Sequence, residues 1–407
     1  MADALNPELT KDAALVEHRP MRILMLAPHP FFRLRGTPID VDILLRVLSA
    51  RPDVTIDLVV YGEGEPVSYP HITVHRTPLT AFTRGLKPGF SLRKLANDVH
   101  VFRIARKLAA RYHYDVVHAG EEAVFIALYL KRRFGIPYVY DLDSSIAQQM
   151  VEQQPWMRRL SGILNSFEAR AIRGALATAP VCNALADLCR DRGALHVVTL
   201  HDISQLTDPD RPPSGRLQRE VGSDRLMLLY VGNLAPYQGV DLLLEAFSLA
   251  IQRTDSVDLV VIGGTEESIR RYRRLASALS LDGRAHFLGP RPFTELDQYL
   301  ADADILTAPR TKGINTPMKV FPYLHSGKAV LVTDLPTHSQ ILTPDVCVLA
   351  APRPEPFADA IVKLAADPAL RQRLGRAARA FVEAEHTFEA HRRRVNALYD
   401  YVERSVS

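Results

Sequence analysis

The chain has 407 residues, more than one hydrophobic core comfortably organises, so two domains of similar size are expected. Its composition, 47% apolar and 24% charged, is that of an ordinary globular protein and excludes a disordered or fibrous chain. A formal net charge of +4 is small for this length, which argues against a nucleic-acid binder and leaves room for local basic patches. The three cysteines, Cys182, Cys189 and Cys347, match neither a zinc framework nor a disulfide scaffold, which points to a reducing cytoplasm; no cofactor is expected. The first twenty residues are polar, the run "MRILMLA" is too short for a signal peptide or a membrane span, and no other run approaches ~18 uninterrupted apolar residues.

Strand-like and helical patterns alternate along the first half. "RILMLAP", "DLVVY", "DVVHA", "YVYDL" and "HVVTL" read as short strands, and "DVDILLRVLSA", "KLANDVHVFRIARKLAARY" and "AVFIALYLKRRFG" carry helical periodicity. That alternation predicts a parallel sheet covered by helices on both faces. A polar, Pro-rich break, "QLTDPDRPPSGRLQREVGSDR", marks the junction, and the pattern then restarts with "LMLLYVG", "DLVVIGG", "AHFLGP", "ADILTAP", "KAVLVTD" and "VCVLA". The expectation is two doubly wound, Rossmann-like α/β domains facing a central cleft, spanning residues 1–205 and 206–385, with a final helix over 386–407 crossing back to the first domain. Ligands of such sheets bind outside the carboxyl ends of the strands, so the segments after each strand are where chemistry is sought.

Several of these segments carry candidates. In "ADILTAPRTKGINTPMKVFPYLHSGK" a strand leads through a loop into a helix expected to start near Thr316-Pro317, with Asn315 or Thr316 as its cap. Arg310, Lys312 and Lys319 add charge to that helix start, and no acid occurs between Asp304 and Asp334, so the segment reads as an anion cradle rather than a set of solvated surface cations. "YVGNLAPYQGVDLLLEAF" and "VIGGTEES" repeat the strand–turn–helix arrangement, and Gly232, Gly263 and Gly264 are placed to let backbone approach a nucleotide. Arg33 and Arg35 lie on the first loop, "PHPFFRLRGTPI", either facing the cleft or on the surface. Asp141 closes a strand and is a candidate for the acceptor side; Asp143 or Ser144 reads as a helix cap, and His201 and Asp202 as structural. "GLKPGFSLRKLANDVHVFRIARKLAARY" and "PWMRRLSGILNSFEARAIR" mix apolar and basic residues at helical spacing, a pattern that suits either a core-facing stripe with a solvated basic face or peripheral contact with an anionic membrane.

"YVGNLAPYQGVDLLLEAF", "FLGPRP", "NTPMKVFPYLHSGKAVLVTDLP" and "LRQRLGRAARAFV", together with the first loop, resemble the family 4 glycosyltransferases of the GT-B fold over nearly the whole chain. The resemblance implies transfer of a sugar from a nucleotide diphosphate donor, with retention and without a metal, to a hydroxyl of a glycan, lipid-linked or small-molecule acceptor. The donor would be held by the C-terminal domain and the acceptor by the N-terminal one. It places Gly36 and Thr37 near the phosphate. It places Asn233 and Gln238 where the family usually carries the Arg and Lys that neutralise the pyrophosphate. The family's usual Glu-x7-Glu pair falls on Ile314 and Pro322, so both carboxylates are absent. In "DVVHAGEEAVF" His118 takes the first position of a frequent His-x-His, Gly120 the second, and Glu121 and Glu122 follow; one of these glutamates would act near the anomeric carbon, or both simply favour a helix N-terminus. Either the site is rebuilt around these losses, or the chain is a catalytically degenerate GT-B protein that serves as a binding or partner module.

Overall fold

The computed structural model describes residues 19–32, 36–80, 83–86, 91–153 and 155–407. The first sheet is built from β1 (Met21–Ala27), β2 (Val54–Val60), β3 (Ile72–Arg76), β4 (Val116–Gly120), β5 (Tyr138–Leu142) and β6 (Ala177–Pro180), in the order β3-β2-β1-β4-β5-β6. The second comprises β7 (Leu226–Val231), β8 (Val257–Ile262), β9 (Ala285–Gly289), β10 (Ile305–Ala308), β11 (Ala329–Thr333) and β12 (Val348–Ala350), ordered β12-β11-β10-β7-β8-β9. All pairings are parallel, and the central strands are buried along nearly their whole length, as sheets covered on both faces require. Each sheet reverses direction once, at β1/β4 and at β7/β10, and a crevice opens at such a switch point.

Helices cover both faces of each sheet, giving separate cores above and below. One C-terminal core packs Phe247, Phe357 and Tyr272 against β7 and β8; the other packs Tyr299, Tyr323 and Ala378 against β10 and β11. The last helix, Phe388–Val406, lies on the other half of the molecule: Val395, Leu398, Tyr399 and Val402 are buried among Ile23, Met25 and Leu45. Its charged face is anchored by Arg51, which reaches Asp400 at 2.7 Å and Glu403 at 3.1 Å.

All six strand runs read in the second half are strands. In the first half "HVVTL" is not a regular strand: it makes a single bridge, Val197 to Thr178 on the free edge of β6, and the Leu200 amide donates to the Pro180 carbonyl beyond it. β3 and β6 were not legible, the first being a half-exposed edge and the second only Ala-Thr-Ala-Pro.

Candidate active site

A cleft cavity of about 640 Å³ lies between the carboxyl ends of the two sheets. Its C-terminal wall begins at β7. Tyr230 sits at the end of this strand and Gly232 just beyond it, where an added Cβ would stand 2.3 Å from the Lys319 Nζ. The absence of a side chain at Gly232 therefore makes room for the lysine. The Lys319 ammonium donates to the Tyr230 hydroxyl (3.0 Å) and to the Gln238 Oε1 (3.2 Å), and lies 4.1 Å from the Tyr230 ring centre. Burial, reinforced by the nearby Arg310 guanidinium, lowers this ammonium to about 7. Arg310 is braced from its own loop, donating to the Lys312 carbonyl (2.7 Å) and to the Asn315 side chain (3.0 Å), with the Tyr237 ring 5.4 Å beneath it. The two loops meet backbone to backbone at Gly239, whose absent Cβ would fall 1.9 Å from the Pro309 oxygen. Two cations, Lys319 and Arg310, thus converge on one wall of the cavity.

The opposite wall is acidic. Asp40 from the first turn of the helix Thr37–Ser49, Asp143 beyond β5, and Asp202 near the junction all line the same cavity. Burial first, and then repulsion by the Asp202 and Asp143 carboxylates, holds Asp40 well above the usual carboxylate range, and Asp143 is raised by burial and by Asp141. Asp202 is pushed to about 7 by burial. The loop 309–319 is tied to this wall's domain: the Ile314 carbonyl accepts from Gln340 (2.6 Å), and the Gln340 side chain in turn accepts from the Ala184 amide (2.9 Å).

Two family models match the chain, "Glycosyl transferase 4-like domain" over residues 33–201 and "Glycosyl transferases group 1" over residues 216–381. The chain is a family 4 glycosyltransferase. D-inositol 3-phosphate glycosyltransferase of Kribbella flavida is 25% identical over 85% of this chain and 82% of its own length. Alpha-D-kanosaminyltransferase of Streptomyces kanamyceticus is 23% identical over 71% and 76%. Among solved structures, sucrose-phosphate synthase from Thermosynechococcus elongatus superimposes with a TM-score of 0.74 at 17% identity, covering 95% of this chain and all of that one. Anabaena HepE in complex with UDP gives 0.72 at 15%, covering 93% and 100%. The fold of this glycosyltransferase is GT-B.

The residues expected at the site of this glycosyltransferase divide into those the fold gathers and those it does not. Gly36, Thr37, Gly232, Asn233, Gln238, Arg310, Asn315, Thr316 and Lys319 all line the cavity. Lys312 is exposed and outside it. Gly263 and Gly264 are not in its wall either: a Cβ at Gly263 would stand 2.1 Å from the Gly232 oxygen, and one at Gly264 would strike Leu234, so these glycines serve the packing of β8 on β7. The helix expected at Thr316-Pro317 begins only at Val320, behind Lys319, and no side chain caps it; Pro322, where the family's second glutamate falls, lines the cavity from that helix.

His118 does not reach the cleft. It is 2% exposed, with Nε2 3.2 Å from Asp141 and Nδ1 2.9 Å from the Tyr399 hydroxyl, so it joins β4, β5 and the last helix. Glu121 and Glu122 also lie outside the cavity wall. Lys94 approaches Glu122 at 2.6 Å and Glu121 at 3.7 Å, and burial with the neighbouring Glu122 raises Glu121 to about 7. Asp141 lines a small hollow beside the main cavity rather than the cavity itself. Arg33 and Arg35 fall outside the described residues.

Asp143 is not the cap expected of it; Ser145 takes that place, accepting from the Gln148 amide at 3.3 Å. Asp202, expected to be structural, lines the cavity. No local pattern marks Asp40, Asp143 and Asp202 as a group, since they come from three separate segments.

Proposed function

We propose that this glycosyltransferase takes a sugar from a nucleoside diphosphate donor, held by its diphosphate between Lys319 and Arg310, and passes it to a hydroxyl of a glycan, lipid-linked or small-molecule acceptor on the N-terminal side. Transfer proceeds with retention and without a bound metal, as the family resemblance implies. The observation that carries the reading is the Lys319 ammonium, enclosed by Tyr230, Gln238 and Gly232 at the cavity wall. Lys319 is half-buried and has no carboxylate partner among the described residues, which is costly, and an anionic oxygen from a ligand relieves that cost. Lys319 and Arg310 stand in for the cations that Asn233 and Gln238 do not supply, and Gln238 instead orients Lys319. HepE is solved with UDP and with UDP-glucose, which supports a nucleotide-sugar donor. The named relatives act on an inositol phosphate and transfer a kanosaminyl group, which supports small polar acceptors.

The test is a thermal-shift series with UDP, GDP, ADP and TDP, with Lys319→Ala as control. A ligand at ~100 times its dissociation constant stabilises by ~2.7 kcal/mol, and roughly 2–4 °C per kcal/mol is expected for domains of this size. One nucleotide raises the midpoint of the wild type by several degrees and leaves the variant unmoved. If none moves the folded wild type, the reading as a catalytically degenerate binding module replaces this one. Retention is read from the anomeric configuration of the product by NMR, and metal independence from turnover in EDTA.

Peripheral contact with an anionic membrane is part of the same proposal. Trp156 is 65% exposed and Ile163 and Phe167 are 57% exposed, on a segment that also carries Arg158 and Arg159. Among the described residues no helix is long and apolar enough to cross a bilayer.

A further inference from the structure

The cleft is electrostatically two-sided, and the diphosphate reading uses only one side. Asp40, Asp143 and Asp202 line the other, and none of the three has a cationic partner within ion-pair distance among the described residues. Arg46 pairs with Asp42 instead, and His118 with Asp141. Asp40 lies close to Asp202, and Thr37 close to Asp143. Three carboxyl groups in one half-buried wall repel one another, and a cavity wall of that kind is stabilised by a positive charge arriving from outside.

A separate observation on the opposite wall points the same way. Thr316 is 5% exposed, lines the same cavity from the C-terminal domain, and its hydroxyl has no hydrogen-bond partner among the described residues. An Asp202 carboxylate oxygen is likewise buried and unpartnered. Buried polar atoms left unpaired are costly, so both await a ligand atom. What they share is acceptor capacity: carboxylate oxygens on one side, a hydroxyl oxygen on the other. A ligand rich in N–H and O–H donors satisfies them, and an ammonium satisfies the charge as well. Among the described residues no group of His, Cys, Asp or Glu side chains has the arrangement of a metal site, which favours an organic cation over a divalent ion.

From this we infer that the cleft binds an amino-bearing sugar or cyclitol, its ammonium seated against Asp40, Asp143 and Asp202 while its hydroxyls meet Thr316. The inference rests on the transferase reading above and names the substrate class of that site. The wall belongs to the N-terminal domain, so the amine is carried by the acceptor.

The experiment is isothermal titration of the full chain, with UDP saturating, by methyl glucosaminide, methyl glucoside and methyl N-acetylglucosaminide, and by magnesium chloride alone. The amine binds at least about tenfold more tightly than either neutral sugar, the size of effect a charge-assisted hydrogen bond produces. Asp143→Asn removes that preference while UDP still binds. The variant lowers the repulsion within the cluster and so keeps the fold, which its melting midpoint verifies. A parallel arm compares UDP-glucosamine with UDP-glucose. A preference confined to that arm, and lost in Asp143→Asn, keeps the ammonium site but assigns it to the donor sugar. Equal affinity for amine and neutral sugars in both arms overturns the inference, as does magnesium binding that Asp143→Asn abolishes. Failure of all four nucleoside diphosphates of the thermal-shift series to bind the wild type strikes the donor reading instead, so the two failures are separable.

Discussion

The two halves of this molecule are built on one plan, yet they use their switch points differently. Both sheets follow the same strand order about a central reversal. At β7/β10 the crevice is open: glycine backbone and a half-buried lysine face a cavity. At β1/β4 the corresponding ground is filled by side chains, where Lys94 holds Glu121 and Glu122 and the Tyr61 hydroxyl donates to Asp98. At His29, just beyond β1, both ring nitrogens are buried and unpaired among the described residues, and that burial lowers the imidazole to about 3. The N-terminal half meets the cavity elsewhere, through Asp40, Asp143 and Asp202. Topology thus locates a crevice, and side-chain volume and charge decide whether it is available.

That contrast can be broken at several points. The largest effect is expected at Gly263, whose Cβ would meet backbone on the neighbouring strand. Gly263→Ala should destabilise the C-terminal half by about 3 kcal/mol or more, read by chemical denaturation. A stable variant with weakened nucleotide binding would instead return this glycine to the ligand site. Gly232→Ala is the complement. There the added carbon meets the mobile end of Lys319 rather than backbone. The φ of 154° at Gly232 strains any added side chain, so stability should fall by about 1–3 kcal/mol, while diphosphate affinity falls about ten- to a hundredfold, measured by titration calorimetry.

Proton linkage separates the two walls further. Lys319 titrates near 7, against 10.5 when unfolded. Between those values the unfolded chain holds a proton that the folded ligand-free protein does not, so this group raises stability as pH rises from about 7 to 10. Diphosphate affinity runs the other way, because bound phosphate needs the ammonium. It should fall by at most about tenfold per pH unit above 7, and Lys319→Met should flatten that dependence. Asp202, raised to about 7, contributes with opposite sign. Its folded form holds a proton between its unfolded value near 4 and about 7, so its share of the stability is present at low pH and lost across that window as pH rises.

The smallest effect concerns His118. Tyr399→Phe deletes the hydroxyl that meets its Nδ1 and should cost about 1–3 kcal/mol of stability, with nucleotide binding per folded molecule unchanged. Reduced binding at undiminished stability would put His118 back in the active site.

Much of the architecture was legible because it is written in local patterns. Continuous apolar runs ending in Gly, Pro or Asp located most of the central strands, and the Pro-rich stretch before β7 separated the two series. β6 escaped because a strand buried on both sides by close neighbours can be made of alanine and threonine, which carry no β-rich signal. The donor-side residues were largely legible for a similar reason, since Arg310, Asn315, Thr316 and Lys319 lie within ten residues on one loop. What that loop did not reveal was its conformation: the helix starts three residues after its proline, because the segment is drawn across to Gln340 and Cys182.

The sequence alone, then, determined the alternation of strands and helices, the repetition of that alternation in two halves, and the run of basic residues that faces the cleft. These depend on neighbours a few positions apart along the chain. Only the tertiary structure decided that Lys319 passes through the space a glycine vacates 87 positions earlier and that His118 is spent on the last helix. It also decided that three aspartates from distant segments share one wall. Burial, repulsion and unpaired atoms arise when separate segments meet, and no stretch of sequence carries them by itself.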